Sequence, residues 1–149
     1  MTAQITTIKN AVKTKLDTLK TAGTLGTVIV DDFKTDPTIG LKHNIAAYPA
    51  AIMASPSVES AYETNMDNLR THIFEIVIVQ KGENISTTSN IEELMEALLN
   101  AFDNDPTLGG AANGAVDPVV SSPEPVTTVD GTFIVFTVTI KARALFTRT

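Results

Sequence analysis

Cysteine and tryptophan are both absent from the 149 residues, and there are two histidines. Without cysteine there is no disulfide framework, no thiolate-ligated zinc or iron–sulfur cluster and no thiol nucleophile. The redox compartment stays open, because such a chain folds in either. No apolar run approaches the ~20 residues that a membrane helix needs, and the longest weakly polar stretch, Ile45 to Ala54, is broken by Pro49. Positive charge is in short supply: 11 Lys and Arg stand against 17 Asp and Glu, for a net charge of −6. A surface of that average sign repels a phosphate backbone, so any nucleic-acid contact has to be local. The opening residues, MTAQITTIKNAVKTK, lack the continuous apolar segment of a secretory signal. The expectation is a soluble cytoplasmic product with no membrane anchor, in which the sequon Asn84-Ile85-Ser86 arises by chance.

What is present is enough for one core. The chain is 43% hydrophobic and 19% charged, which excludes a disordered, low-hydrophobicity chain, and its length suits one domain. Ile5, Ile8, Val12, Leu16 and Leu19 recur at helical spacing, with Gly23 as a stop. Thr27 to Val30 is a β-branched run that reads as a strand. Ala50 to Ala54 is a weaker strand candidate between Pro49 and Pro56, and Ser55 to Asn68 reads as loop or a single helical turn. Thr71 to Val79 is the clearest strand. His72, Phe74, Ile76 and Ile78 share one face, Ile73, Val77 and Val79 the other with Glu75, which predicts burial on both sides. Ser89 with Glu92, or Asn90 with Glu93, has capping-box spacing. It opens a second helix striped by Ile91, Leu94, Met95, Leu98 and Phe102 and closed by Asp105-Pro106. After a loop-rich segment, Val126 to Val129 reads as a strand, Asp130-Gly131 as a hairpin turn, and Phe133 to Phe146 as a long return strand alternating at period 2. The expected order is α-β-(β)-β-α-β-β. The fold class is α+β, a single domain with a mostly antiparallel sheet, two amphipathic helices packed on it, and long loops at about 31–68 and 103–125.

Candidate chemistry is thin. Asp31 and Asp32 close a strand where carboxylates for metal or acid–base work are often found. Neighbours on a strand point to opposite faces, however, so the pair shares a ligand poorly. Asp103-Asn104-Asp105 opens like an EF-hand loop, but position 6 is Leu108 and position 12 is Gly114, where glycine and glutamate are required. Gly109 to Gly114 is glycine-rich without the Gly-Lys-Ser/Thr of a phosphate loop. His43 and His72 have no triad context. No residue earns a catalytic role, and no metal or cofactor is expected. The pentapeptides Asp36–Gly40 (DPTIG) and Asp105–Gly109 (DPTLG) echo one another, which is too short to argue duplication.

Two surface features remain. Lys9, Lys13 and Lys20 fall within about 40° of one another around the first helix. They form either a solvated face or a docking face for an acidic partner or DNA. The long C-terminal strand reads as a sheet edge. Either Lys141 and Arg143 blunt it against other chains, or it pairs with a neighbouring subunit.

A strand with Arg70, Phe74 and Ile76, a capped helix Asn90–Phe102, then Asp105-Pro106-Thr107-Leu108-Gly109-Gly110 and a hairpin ending in a long alternating strand resemble the tail terminator (tail completion) proteins of long-tailed bacteriophages. The amphipathic first helix followed by Val28–Val30 is similar to them too. The chain departs from the pattern at residues 41–68, and in Ala115–Val129, where Pro118, Pro123 and Pro125 lengthen the link into the hairpin. The resemblance implies a virion structural protein of the tail or neck, assembled in the host cytoplasm. It implies a homo-oligomeric ring, usually of six copies, that caps the tail tube and stops its growth. The tail tube protein and the head–tail connector protein would be its partners, with double-stranded DNA only passing through the lumen. Six copies of an acidic chain fit a lumen that repels DNA and lets it slide. Lys9, Lys13, Lys20, Asp105, Leu108, Lys141 and Arg143 are the residues placed at partner interfaces on this reading. The alternatives are a head-completion or connector-stopper ring, typically of twelve copies, and a small α+β enzyme or ligand-binding domain using Asp31 and Asp32.

Overall fold

In the computed structural model the described residues are 4–30, 47–54, 56–62, 67–81, 88–105, 107–108, 116–128 and 131–147. Their order is α1 (Gln4–Thr21), β1 (Thr27–Val30), β2 (Ala50–Met53), β3 (Ser57–Tyr62), β4 (Asp67–Lys81), α2 (Thr88–Asp103), β5 (Val116–Val120), β6 (Glu124–Thr128) and β7 (Gly131–Thr147). The fold is α+β, and the described residues form one seven-stranded sheet.

The spine is the antiparallel pair β4 and β7, in register from Asp67↔Thr147 to Lys81↔Phe133. Each strand of the spine carries two short strands on its outer side. β3 pairs with the first half of β4 and β2 with the second; β5 and β6 divide β7 in the same way. β1 extends the sheet beyond β2, the one parallel pair among the described strands.

Period-2 alternation gives the spine two different faces. Cross-strand pairs Phe74↔Ile140, Ile76↔Val138 and Ile78↔Phe136 form the floor of the main core. Ile8, Val12 and Leu16 of α1, and Ile91, Leu94, Leu98 and Phe102 of α2, close it from above. Phe74, Phe102 and Phe136 are among its largest fully buried side chains, each contributing at most ~3 kcal/mol by area. On the other face a smaller cluster gathers Ile52, Val79 and Phe133, with Tyr48 packed against it. The Tyr48 and Phe133 rings lie 5.9 Å apart, and Lys81 Nζ sits 5.3 Å over the Tyr48 ring.

α1 ends in a Schellman motif. Gly23 has φ +88°, its N–H donates to Lys20 O at 3.1 Å, and Thr24 N donates to Leu19 O at 3.0 Å. Along the outer side of α1 the hydroxyls of Thr14, Thr18 and Thr21 donate to carbonyls four residues back, at 2.8 to 3.0 Å. That arrangement satisfies polar side chains without leaving the helix.

Three expectations are corrected. Residues 57–62, expected as loop, form β3; their signal is polar, and the strand exists through pairing with Asn68 to Ile73. The expected loop 103–125 contains β5 and the start of β6. Pro118 and Pro125 hid these strands, yet proline is tolerated on an edge, where its missing N–H interrupts no second ladder. β7 is therefore no edge strand: β4 pairs with it on one side, β5 and β6 on the other. The turn expected at Asp130-Gly131 lies in part outside the described residues; Gly131 itself opens β7, paired with Thr128.

Candidate interaction surface

Lys13 and Lys20 are exposed and Lys9 half-buried, on one flank of α1. Lys13 Nζ donates to Asp17 Oδ2 at 3.0 Å, with both side chains nearly half exposed. Such a pair holds by less than ~1 kcal/mol and exchanges easily. Lys15 points elsewhere, about 120° round the helix from Lys9. Its Nζ lies 3.1 Å from Asp105 Oδ2, which fastens α1 to the turn after α2. The side of α1 that faces α2 is thus spoken for, and the Lys9–Lys13–Lys20 stripe lies on another side. Asp105 is the inner partner of that bridge.

α2 carries the opposite charge. Its sequence TSNIEELMEALLNAFD holds no basic residue. Glu92, Glu93, Glu96 and Asp103 are exposed. Glu92, Glu96 and Asp103 stand at intervals of four and seven, the same as Lys9, Lys13 and Lys20, and form one stripe. The acidic stripe was missing from the sequence reading, though the same spacing arithmetic finds it.

The remaining interface candidates are scattered. Leu108 is 5% exposed and packs in the main core with φ +51°, so it supports the turn after α2 from inside. Lys141 and Arg143 lie on the sheet face away from both helices, paired with Ile73 and Thr71. Lys141 is exposed and Arg143 half-buried. With β7 interior, neither blunts an edge. The same face exposes Leu145 and Val119. Asp31, Asp32, His43, the Asp36–Gly40 pentapeptide, Asn84 and the glycine run 109–114 lie outside the described residues.

His72, which has no triad context in the sequence, proves to be buried and hydrogen-bonded. His72 is 2% exposed and its Nε2 lies 3.3 Å from Gln4 Oε1. The Gln4 Nε2 donates to Leu145 O at 3.3 Å. One amide thus ties the start of α1 to both spine strands. With Gln4 Oε1 as acceptor, Nε2 of the ring carries the proton, and the buried Nδ1 has no hydrogen-bond partner. Burial, and then the Arg70 guanidinium, push the His72 pKa below 6.5. Burial disfavours the charged ring and the nearby cation repels it. The imidazole is a structural strut that burial and Arg70 push towards its neutral form.

Among the described residues no group of three His, Cys, Asp or Glu is placed to hold a metal ion. No helix there is long and apolar enough to cross a membrane.

No protein-family model matches the chain, and no curated protein matches it by sequence. Solved structures do match it by fold. The chain shares its fold with a chain from the virion of a native gene transfer agent particle. The TM-score is 0.50 at 12% identity, over 84% of each chain. At that identity the likeness is one of fold.

Proposed function

We propose that this chain is a structural protein of a phage-like virion, and within it a tail terminator. Copies close into a ring of six on the last ring of the tail tube, stop its polymerisation and present a surface to the head connector. The observation that supports this most is the fold shared over 84% of the chain with a component of a gene transfer agent virion. Of the segment 90–110 that resembles tail terminators, the described residues form the rest of α2 after its first two residues and the stretch after it, fixed by Lys15 on Asp105 and by Leu108 in the core. The charged flanks of α1 and α2 supply surface for neighbours. In this role the protein turns over no substrate and takes no cofactor, and DNA meets it only as passing cargo.

The test is to add the purified chain to growing tail tubes of its own particle. Tubes capped at one end by a six-fold ring, and unable to elongate from it, support the reading. A twelve-fold ring that binds portal-side complexes and leaves tube growth unaffected moves the protein to the head-side connector.

A further inference from the structure

The two charged stripes share a geometry. Lys9 and Lys20 stand 11 positions apart, as do Glu92 and Asp103, so each stripe is ~16 Å long at 1.5 Å per residue. The ends of two such stripes coincide whether the helices run parallel or antiparallel. The middle residues, Lys13 and Glu96, then differ in height by at most ~5 Å, within reach of a lysine side chain.

Each stripe also borders a half-buried apolar residue, Ile5 on α1 and Leu99 on α2. Neither belongs to the two core clusters of the described residues. Within one molecule the two helices pack on different parts of the sheet. α1 packs on β1 and β4 and α2 on β5, towards opposite ends of the strand order, and Lys15 with Asp105 occupies the inner contact between them.

We propose that the Lys9–Lys13–Lys20 stripe of one copy docks on the Glu92–Glu96–Asp103 stripe of a second copy of this chain. The inference deepens the ring reading and rests on it. The contact joins two different patches, so it is heterologous. Such contacts repeat head to tail until the rotation closes them into a ring. The partner that fits is another copy because this chain carries both halves of the match: equal length, equal spacing, opposite sign and an apolar residue beside each. Lys13 leaves Asp17 for Glu96 at little cost, since its present pair is exposed to solvent.

The test is a charge swap read by sedimentation and native mass. One variant is Lys9→Glu/Lys13→Glu/Lys20→Glu, the other Glu92→Lys/Glu96→Lys/Asp103→Lys. Alone, each puts like charges across the contact and weakens self-association by at least ~100-fold. Mixed in equal amounts, they alternate around the ring and association returns. All six changes in one chain restore it as well. Because the rescue requires folded partners, it separates lost docking from lost folding.

Single-stripe variants that assemble as the wild type does, or a mixture that stays dissociated, overturn this docking while leaving the ring itself standing. A wild-type chain that never self-associates, alone or on tube ends, overturns the ring reading and this inference with it.

Discussion

Gly26→Ala tests how tightly the start of β1 is tied to the segment before β2. A Cβ at Gly26 comes within 2.9 Å of the Ala47 backbone carbon and Cβ and 3.0 Å of Tyr48 N. Carbon atoms prefer 3.5–4.0 Å, and a backbone carbon cannot rotate aside. Residues 47–49 would have to move outward. That motion strains the bonds from Gly26 N to Pro49 O at 2.7 Å, Thr27 N to Pro49 O at 3.3 Å and Thr27 Oγ1 to Ala47 O at 2.7 Å. Overpacking of this kind costs about 1–3 kcal/mol, while losing a glycine from the unfolded chain returns about 0.4–1 kcal/mol. The clash wins, and the net loss is about 1–2 kcal/mol.

Urea denaturation should show a lower midpoint with an unchanged slope. Tm should fall by roughly 2–4 °C per kcal/mol. Gly23 is the control, because nothing lies within 4 Å of its Cβ position but φ is +88°. Gly23→Asn should therefore cost less than Gly23→Ala, since asparagine tolerates the left-handed region better. At Gly26 the larger asparagine should cost more than alanine. An unchanged or raised midpoint in Gly26→Ala, or the same order of costs at both glycines, would refute the close approach.

Three further outcomes follow from the same structure. His72 is held below its ordinary pKa by burial and then by Arg70, so the unfolded chain binds the extra proton more readily. Its contribution to stability is whole above 6.5 and is lost as pH falls from there through the lower folded value; Tm against pH should show a shallower fall in that window for His72→Gln. Phe102 is fully buried between α2 and the sheet, and Phe102→Ala should cost about 3–5 kcal/mol in urea denaturation. Lys15→Ala breaks a pair about three-quarters buried, whereas Lys13→Ala breaks one half exposed. The former should lower stability by up to ~1 kcal/mol and the latter by less than ~0.5 kcal/mol, measured as midpoint shifts in the monomer.

Much of the fold was legible where the pattern is local. Ile8, Val12 and Leu16 mark α1 by their spacing alone, and the alternation from Phe136 to Ala144 marks β7 and its core face. The capping residues before Ile91 place the start of α2 within two residues. What was not legible depends on partners distant in sequence. Ser57 to Tyr62 is a strand because β4 offers it a ladder, not because its residues favour one. The interior place of β7 follows from β5 and β6, whose prolines disguise them. The hydrogen-bond partner of buried His72 is Gln4, 68 positions away.

The candidate surface divides the same way. The lysine stripe is readable by counting, and the acidic stripe equally so. That Lys15 and not Lys13 holds Asp105, and that Leu108 is core, needed the packed structure.

The most direct measurement is the native mass of the purified chain, with images of the same sample before and after tail tubes of its own particle are added. A closed ring of six copies, alone or on one tube end, is the predicted result. A chain that stays monomeric in both samples and leaves the tubes uncapped would contradict it.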